Sequence, residues 1–182
     1  KVDIKGAKFN GAYMMGVSFK NMDLRNANLQ GIHMPGQNFK GLDLTGINLQ
    51  NAVLKDSNFE NSNLTDANLD AAYLNSANFK NADMTNVSLS NVDFGGADLT
   101  NVELLGANLS GVNLVGANLS GANLSNSNLS GANLKDAILD NSKLYGADLT
   151  GINLENASLK KVDINGAKFA GAYMIGVSFE DT

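Results

Sequence analysis

A chain of 182 residues with net charge −5, no cysteine and a single proline is no disulfide scaffold, and it has no thiolate for metal or nucleophilic chemistry. Its 13 basic residues form no continuous track, which argues against direct nucleic-acid binding through phosphates, and no apolar run approaches a membrane span. The chain reads as soluble, with the cytoplasm favoured, and Lys1 in place of methionine suggests a processed or excised piece.

From Val2 to Asp181 the sequence divides into 36 consecutive pentapeptides without insertion or deletion, most plainly over residues 106–135, GANLSGVNLVGANLSGANLSNSNLSGANLK. Taking Ala-Asn-Leu-Ser-Gly as positions one to five, the third holds Leu 22 times, Phe 8, Met 4 and Ile 2, so it is always large and apolar. The first is Ala 18 times and Val 8 times, with Ser, Ile, Met22, Leu42 and Gln37 making up the rest. The second is Asn or Asp in 22 units and the fourth is mixed polar, both choices suited to solvent. Of 37 fifth positions, 18 are Gly, 11 Asn and 4 Asp, the residues that tolerate positive φ. That conformation belongs to the third residue of a type II turn, and Pro35 before Gly36 sits where such a turn favours proline.

A five-residue period fits neither a helix, around which the leucines would wander, nor a flat strand, which would throw alternate leucines to opposite faces. It fits a chain that turns a corner every five residues and winds into a tube, with positions one and three inward. Tyr13, Tyr73 and Tyr173, and likewise Phe19, Phe39, Phe59, Phe79 and Phe179, are spaced by multiples of twenty. Four units therefore complete a coil, and like residues stack in columns. The unit resembles that of the pentapeptide-repeat family, almost verbatim at Ala107-Asn108-Leu109, Ala117-Asn118-Leu119 and Ala132-Asn133-Leu134. The resemblance implies an all-β fold, a right-handed quadrilateral parallel β-helix of about nine twenty-residue coils. A single solenoid domain over 1–182 without recognisable capping helices is expected.

The columns can be taken in chain order. The first carries Asp3, Asp23, Asp43, Asn63, Asp83, Glu103, Asn123, Lys143 and Asp163. Its acids Asp3, Asp23, Asp43, Asp83, Glu103 and Asp163 form a candidate strip that could mimic a phosphate track, as is proposed for the family members that protect DNA gyrase. Lys5 and Arg25 stand beside those acids, and the dimerisation segment of those proteins has no counterpart here. The second column, with Asn28, Asn48, Asn68, Asn108 and Asn128, reads as an amide ladder bonding between coils. The third departs from the polar rule. Tyr13, His33, Val53 and Tyr73 occupy second positions, Met15 and Pro35 flank them, and Tyr173 and Ile175 reappear at the far end, a candidate surface for a protein partner. The fourth stacks phenylalanines inward.

Catalysis is not expected. His33 is the only histidine, the carboxylates stand on convex walls, and the design offers no pocket. The glycine spacings belong to the turns rather than to a phosphate cradle, and neither cofactor nor metal is expected. Residues 1–20 recur at 161–180 with 16 of 20 identical, eight coils away on the same faces. The copy reads first as a local gene duplication within a longer array, and matching ends would also permit end-to-end self-association; a protein partner is expected beside it. The leading functional reading is a non-enzymatic interaction scaffold, and the alternative is a DNA-mimicking modulator of a type II topoisomerase.

Overall fold

The computed structural model describes residues 2–3 and 8–181, with side chains from residue 8 onward. Parallel bridges join residues twenty apart on four faces, for example Asn28 to Asn48, Val53 to Tyr73, Asn58 to Asn78 and Asp83 to Glu103. At the two ends the bridges lengthen into short parallel strands. There β1 (Val2–Asp3) pairs with β2 (Met22–Asp23), and β3 (Ser158–Lys160) pairs with β4 (Ser178–Glu180). No helix occurs among the described residues.

The pentapeptide corners close in a common way, except before Gln37, whose amide donates to Ser57 Oγ instead. The first-position amide donates to the third-position carbonyl of the preceding unit, as in Ala27 N–H to Leu24 O. The fifth residue between them has φ between 52° and 75° at every described corner from Gly11 to Asp181. Only that residue of the four has positive φ, which is the type II signature the sequence predicts. Asn and Asp accept this conformation readily, but Ala71, Ser76 and Lys161 also adopt it, against the usual steric preference of a Cβ.

The inward assignment holds. Third positions from Phe19 to Leu159 are buried, and so are the first positions over the same span apart from Met22 and Leu42, which are partly buried. Each fully buried Leu contributes about 1.5–3 kcal/mol of transfer free energy, so the core is a continuous column rather than a globule. Phe39, Phe59 and Phe79 stack with centroids 4.7 and 4.6 Å apart, and Phe94 ends the run edge-on. Phe179, in the same column, is 42% exposed because no described coil lies above it. At two of the first-position serines the hydroxyl donates to the turn carbonyl, Ser62 Oγ to Phe59 O and Ser127 Oγ to Leu124 O, which satisfies a buried polar group, whereas Ser142 Oγ is buried without a partner among the described residues.

The structure revises the reading of the second position. All 21 described Asn and Asp residues there accept, through Oδ1, the backbone N–H two residues later. Many are accordingly only half exposed. The fourth-position N–H points away from the ladder, and a short side-chain acceptor satisfies it locally. The asparagines of the second column are therefore turn-makers, not an inter-coil amide ladder. Ladders of that kind run instead through Gln30 and Gln50, and through the corner residues Asn61, Asn81 and Asn101.

Candidate interaction surface

The third face brings its predicted residues together at its lower end. Parallel bridges place Tyr13 beside His33, His33 beside Val53 and Val53 beside Tyr73. Tyr13 is 80% exposed, Met15 70% and Tyr73 55%, and Pro35 is exposed, while His33 and Val53 are half-buried between the tyrosines. The Tyr13 and His33 rings lie 4.9 Å apart and tilted by 32°. His33 Nδ1 is buried without a hydrogen-bond partner among the described residues, and the residue lies between Tyr13 and Val53 in the ladder. Above Tyr73 the face turns polar through Asp93, Asn113, Asn133 and Asn153. Tyr173 and Ile175 are exposed but belong to a separate patch, five coil steps or about 24 Å further along the rod.

The acidic column does not present a uniform strip. Asp23 is held by the guanidinium of Arg25, which also approaches Asp43. Asp43 and Asp83 each accept two bonds on Oδ1, from the amide and hydroxyl of Thr45 and of Thr85. Asn123 donates to Glu103, and Lys143 stands between Asn123 and Asp163 in the bridge series. The side chain of Asp3, like Lys5, lies outside the described residues.

The structure also shows large exposed apolar residues that the column reading passed over. Leu105, Ile138 and Tyr145 occupy fourth, second and fourth positions and are exposed. Their only sequence signal was an apolar residue where the unit prefers a polar one.

The expectation that the winding offers no pocket is overturned. Between residues 16–25 and 36–45 two adjoining clefts of about 420 and 490 Å³ open on the fourth and first faces, sharing Lys20 and Leu42. Ser18 to Asn38 and Asp23 to Asp43 are the two interrupted bridges of the described ladders. The ladder is intact on either side, at Met14 N–H to His33 O and Asn26 N–H to Thr45 O. Gln37 explains the break on the fourth face. Its amide occupies a buried position otherwise filled by small or β-branched residues, and it donates to Val17 O at 2.8 Å, the carbonyl that Asn38 N–H would otherwise reach. Ser57 Oγ takes up the displaced Gln37 N–H. On the first face Met22 and Leu42 fill the small position from both sides of the gap.

These features define a parallel β-solenoid whose variable information lies on its side walls. The sequence model of pentapeptide repeats matches residues 1–31, 103–141 and 142–181 in eight copies, and that of the pentapeptide-repeat region matches 38–114. The chain belongs to the pentapeptide-repeat family. Among solved structures it is similar to HetL, a pentapeptide-repeat protein involved in heterocyst differentiation regulation from the cyanobacterium Nostoc sp. strain PCC 7120. That match has 26% identity over 85% of this chain and 90% of HetL, with a TM-score of 0.55. It is also similar to the plasmid-mediated fluoroquinolone resistance protein QnrB1, at 18% identity over 92% and 91% of the two chains, TM-score 0.47. A pentapeptide-repeat protein of the Arabidopsis thaliana thylakoid lumen matches at 31% identity over 63% and 66%, TM-score 0.40. No curated protein sequence matches the chain. Family and fold together make the winding a right-handed quadrilateral β-helix. No helix among the described residues is long and apolar enough to cross a membrane.

Proposed function

We propose that the protein is a non-enzymatic scaffold that binds a protein partner through the lower end of its third face. The observation that carries this reading is the unbroken run Tyr13, His33, Val53 and Tyr73, flanked by Met15 and Pro35, on a wall whose other second positions are mostly Asn and Asp. Aromatic side chains held in place by a β-ladder lose little freedom on contact, so they are effective anchors. The run spans three coil steps, about 14 Å, which suits a short apolar segment lying along the rod. HetL, the match at TM-score 0.55, takes part in regulation, which agrees with an interaction role.

Phosphate mimicry by Asp23, Asp43, Asp83, Glu103 and Asp163 is the weaker reading. Arg25 and Lys143 interrupt the charge, and the aspartates serve the turns as hydrogen-bond acceptors.

The test is capture on immobilised protein, comparing the wild type with a Tyr13→Ser/Val53→Ser/Tyr73→Ser variant. These side chains are outside the core, so the melting temperature is expected to stay within a few degrees while specific capture is lost. Equal capture by both proteins would refute the surface. Gyrase supercoiling titrated with the same two proteins separates the alternative, which requires stoichiometric inhibition or protection that both proteins share.

A further inference from the structure

We propose that the cleft between residues 16–20 and 36–40 on the fourth face binds a small hydroxycarboxylic acid. This inference concerns a different wall from the third-face surface and stands independently of it.

The site begins with a ladder that fails to close. One coil higher on this face, Phe39 N–H donates up to Asn58 O and Asn58 N–H donates down to Gln37 O. At the seam the equivalent groups, Phe19 N–H, Asn38 N–H and Asn38 O, have no such partner among the described residues. The buried carboxamide of Gln37 takes Val17 O in their place. Behind it the rings of Phe19 and Phe39 lie 5.6 Å apart, against 4.7 and 4.6 Å for the next two pairs of the stack. A third strand would need about 4.8 Å on each of its sides, so the gap is too narrow for a peptide strand to enter. A small molecule lying in the mouth does fit, and the cleft volume of about 420 Å³ suits one.

Charge selects an anion. Lys20 and Lys40 line this cleft, and no acid among the described residues does, in a chain whose net charge is −5. Along the same column Lys40 bonds Glu60 at 2.7 Å and Lys160 approaches Glu180 at 3.3 Å, whereas Lys20 and Lys40 are like-signed neighbours. An anion between them removes their repulsion. The adjoining cleft on the first face also holds Asp23 and Asp43, which confine the anion to the fourth face.

The backbone narrows the class further. The oxygens of a carboxylate can accept from Phe19 N–H on the lower lip and Asn38 N–H on the upper, while Asn38 O and Lys40 O call for a donor on the ligand. That donor is a hydroxyl, because an ammonium group would meet Lys20 and Lys40. Leu42, half-buried in the cleft lining, gives a short carbon skeleton an apolar contact, which inorganic phosphate cannot use.

The test is a titration of the isotope-labelled chain followed amide by amide. The probes are L-malate, succinate, which lacks only the hydroxyl, and inorganic phosphate. Malate is expected to shift the Phe19 and Asn38 resonances saturably, with a dissociation constant on the order of a millimolar, and succinate to bind roughly five-fold more weakly. Lys20→Gln, an exposed change, is expected to weaken malate roughly five-fold, while Lys80→Gln, further along the same column, leaves it unchanged. Three results would overturn the site: no saturable shift with malate at tens of millimolar, a Lys20→Gln variant that binds as the wild type does, or an equal response to phosphate, which would mean an adventitious ion only. Succinate matching malate would overturn the hydroxy acid as the class of ligand.

Discussion

Residues 116–125 facing 136–145 and residues 16–25 facing 36–45 lie on the same two faces of the rod and differ chiefly in what fills the first position. In the former pair Ala117, Ala122, Ala137 and Ser142 stand there, and the ladder closes through Leu119 N–H to Ile138 O, Gly121 N–H to Asp140 O and Leu124 N–H to Lys143 O. In the latter pair Val17, Met22, Gln37 and Leu42 stand there, and the corresponding bonds are missing. The third-position residues are large and apolar in both. The leucine or phenylalanine fills the core, whereas the residue two places earlier sets how closely two coils approach, because its side chain lies beside the backbone that must pair.

The largest expected effect breaks the closed region outright. Leu119 is fully buried, and Leu119→Lys places an ammonium group in the core column at a cost of about 4 kcal/mol or more. Thermal denaturation should show a melt lower by well over ten degrees, and an unchanged melt would contradict the inward assignment. A smaller effect should follow from moving the wedge. Ala137→Gln puts glutamine where Gln37 stands five coils earlier and is expected to cost about 1–3 kcal/mol. Faster hydrogen exchange at Leu119 and Ile138 is the accompanying local signature. If exchange there is unchanged, the amide is not what opens the seam.

Corners should behave alike in both regions, which sharpens the contrast with the first position. Ala71 sits at φ 55°, and Ala71→Gly is expected to stabilise by about 0.5–1 kcal/mol, seen as a raised denaturation midpoint without change at the seam. The smallest effect concerns pH. The hydrogen bond from Lys40 holds Glu60 below the ordinary glutamate value. Its linked stability is therefore complete above the unfolded value and is lost as pH falls through the folded one. Acid melting curves should show this slight dependence in the wild type and lack it in Glu60→Gln; identical curves would remove the linkage.

The winding was legible because positions one, three and five each answer a separate physical demand, and all three repeat without slippage. The lower end of the third face was legible for the converse reason, since Tyr13, Val53 and Tyr73 break a rule that holds elsewhere. The work done by second-position Asn and Asp was not, because a residue chosen to accept its neighbour's N–H has the same composition as one chosen for solvent. The seam was half visible. Met22, Gln37 and Leu42 are the only Met, Gln and Leu in the first position, but only the three-dimensional register shows that they converge on one gap, and that Gln37 reaches Val17 O.

The most direct test of this account is residue-by-residue amide hydrogen exchange on the wild type and on a Gln37→Ala/Leu42→Ala variant. Phe19, Asn21 and Leu24 should exchange fast in the wild type while Phe39, Gly41 and Leu44, one coil above, are protected, and the double variant should slow the first three. Uniform protection along the wild-type rod, or a variant in which those three amides still exchange fast, would show that first-position size does not govern how the coils close.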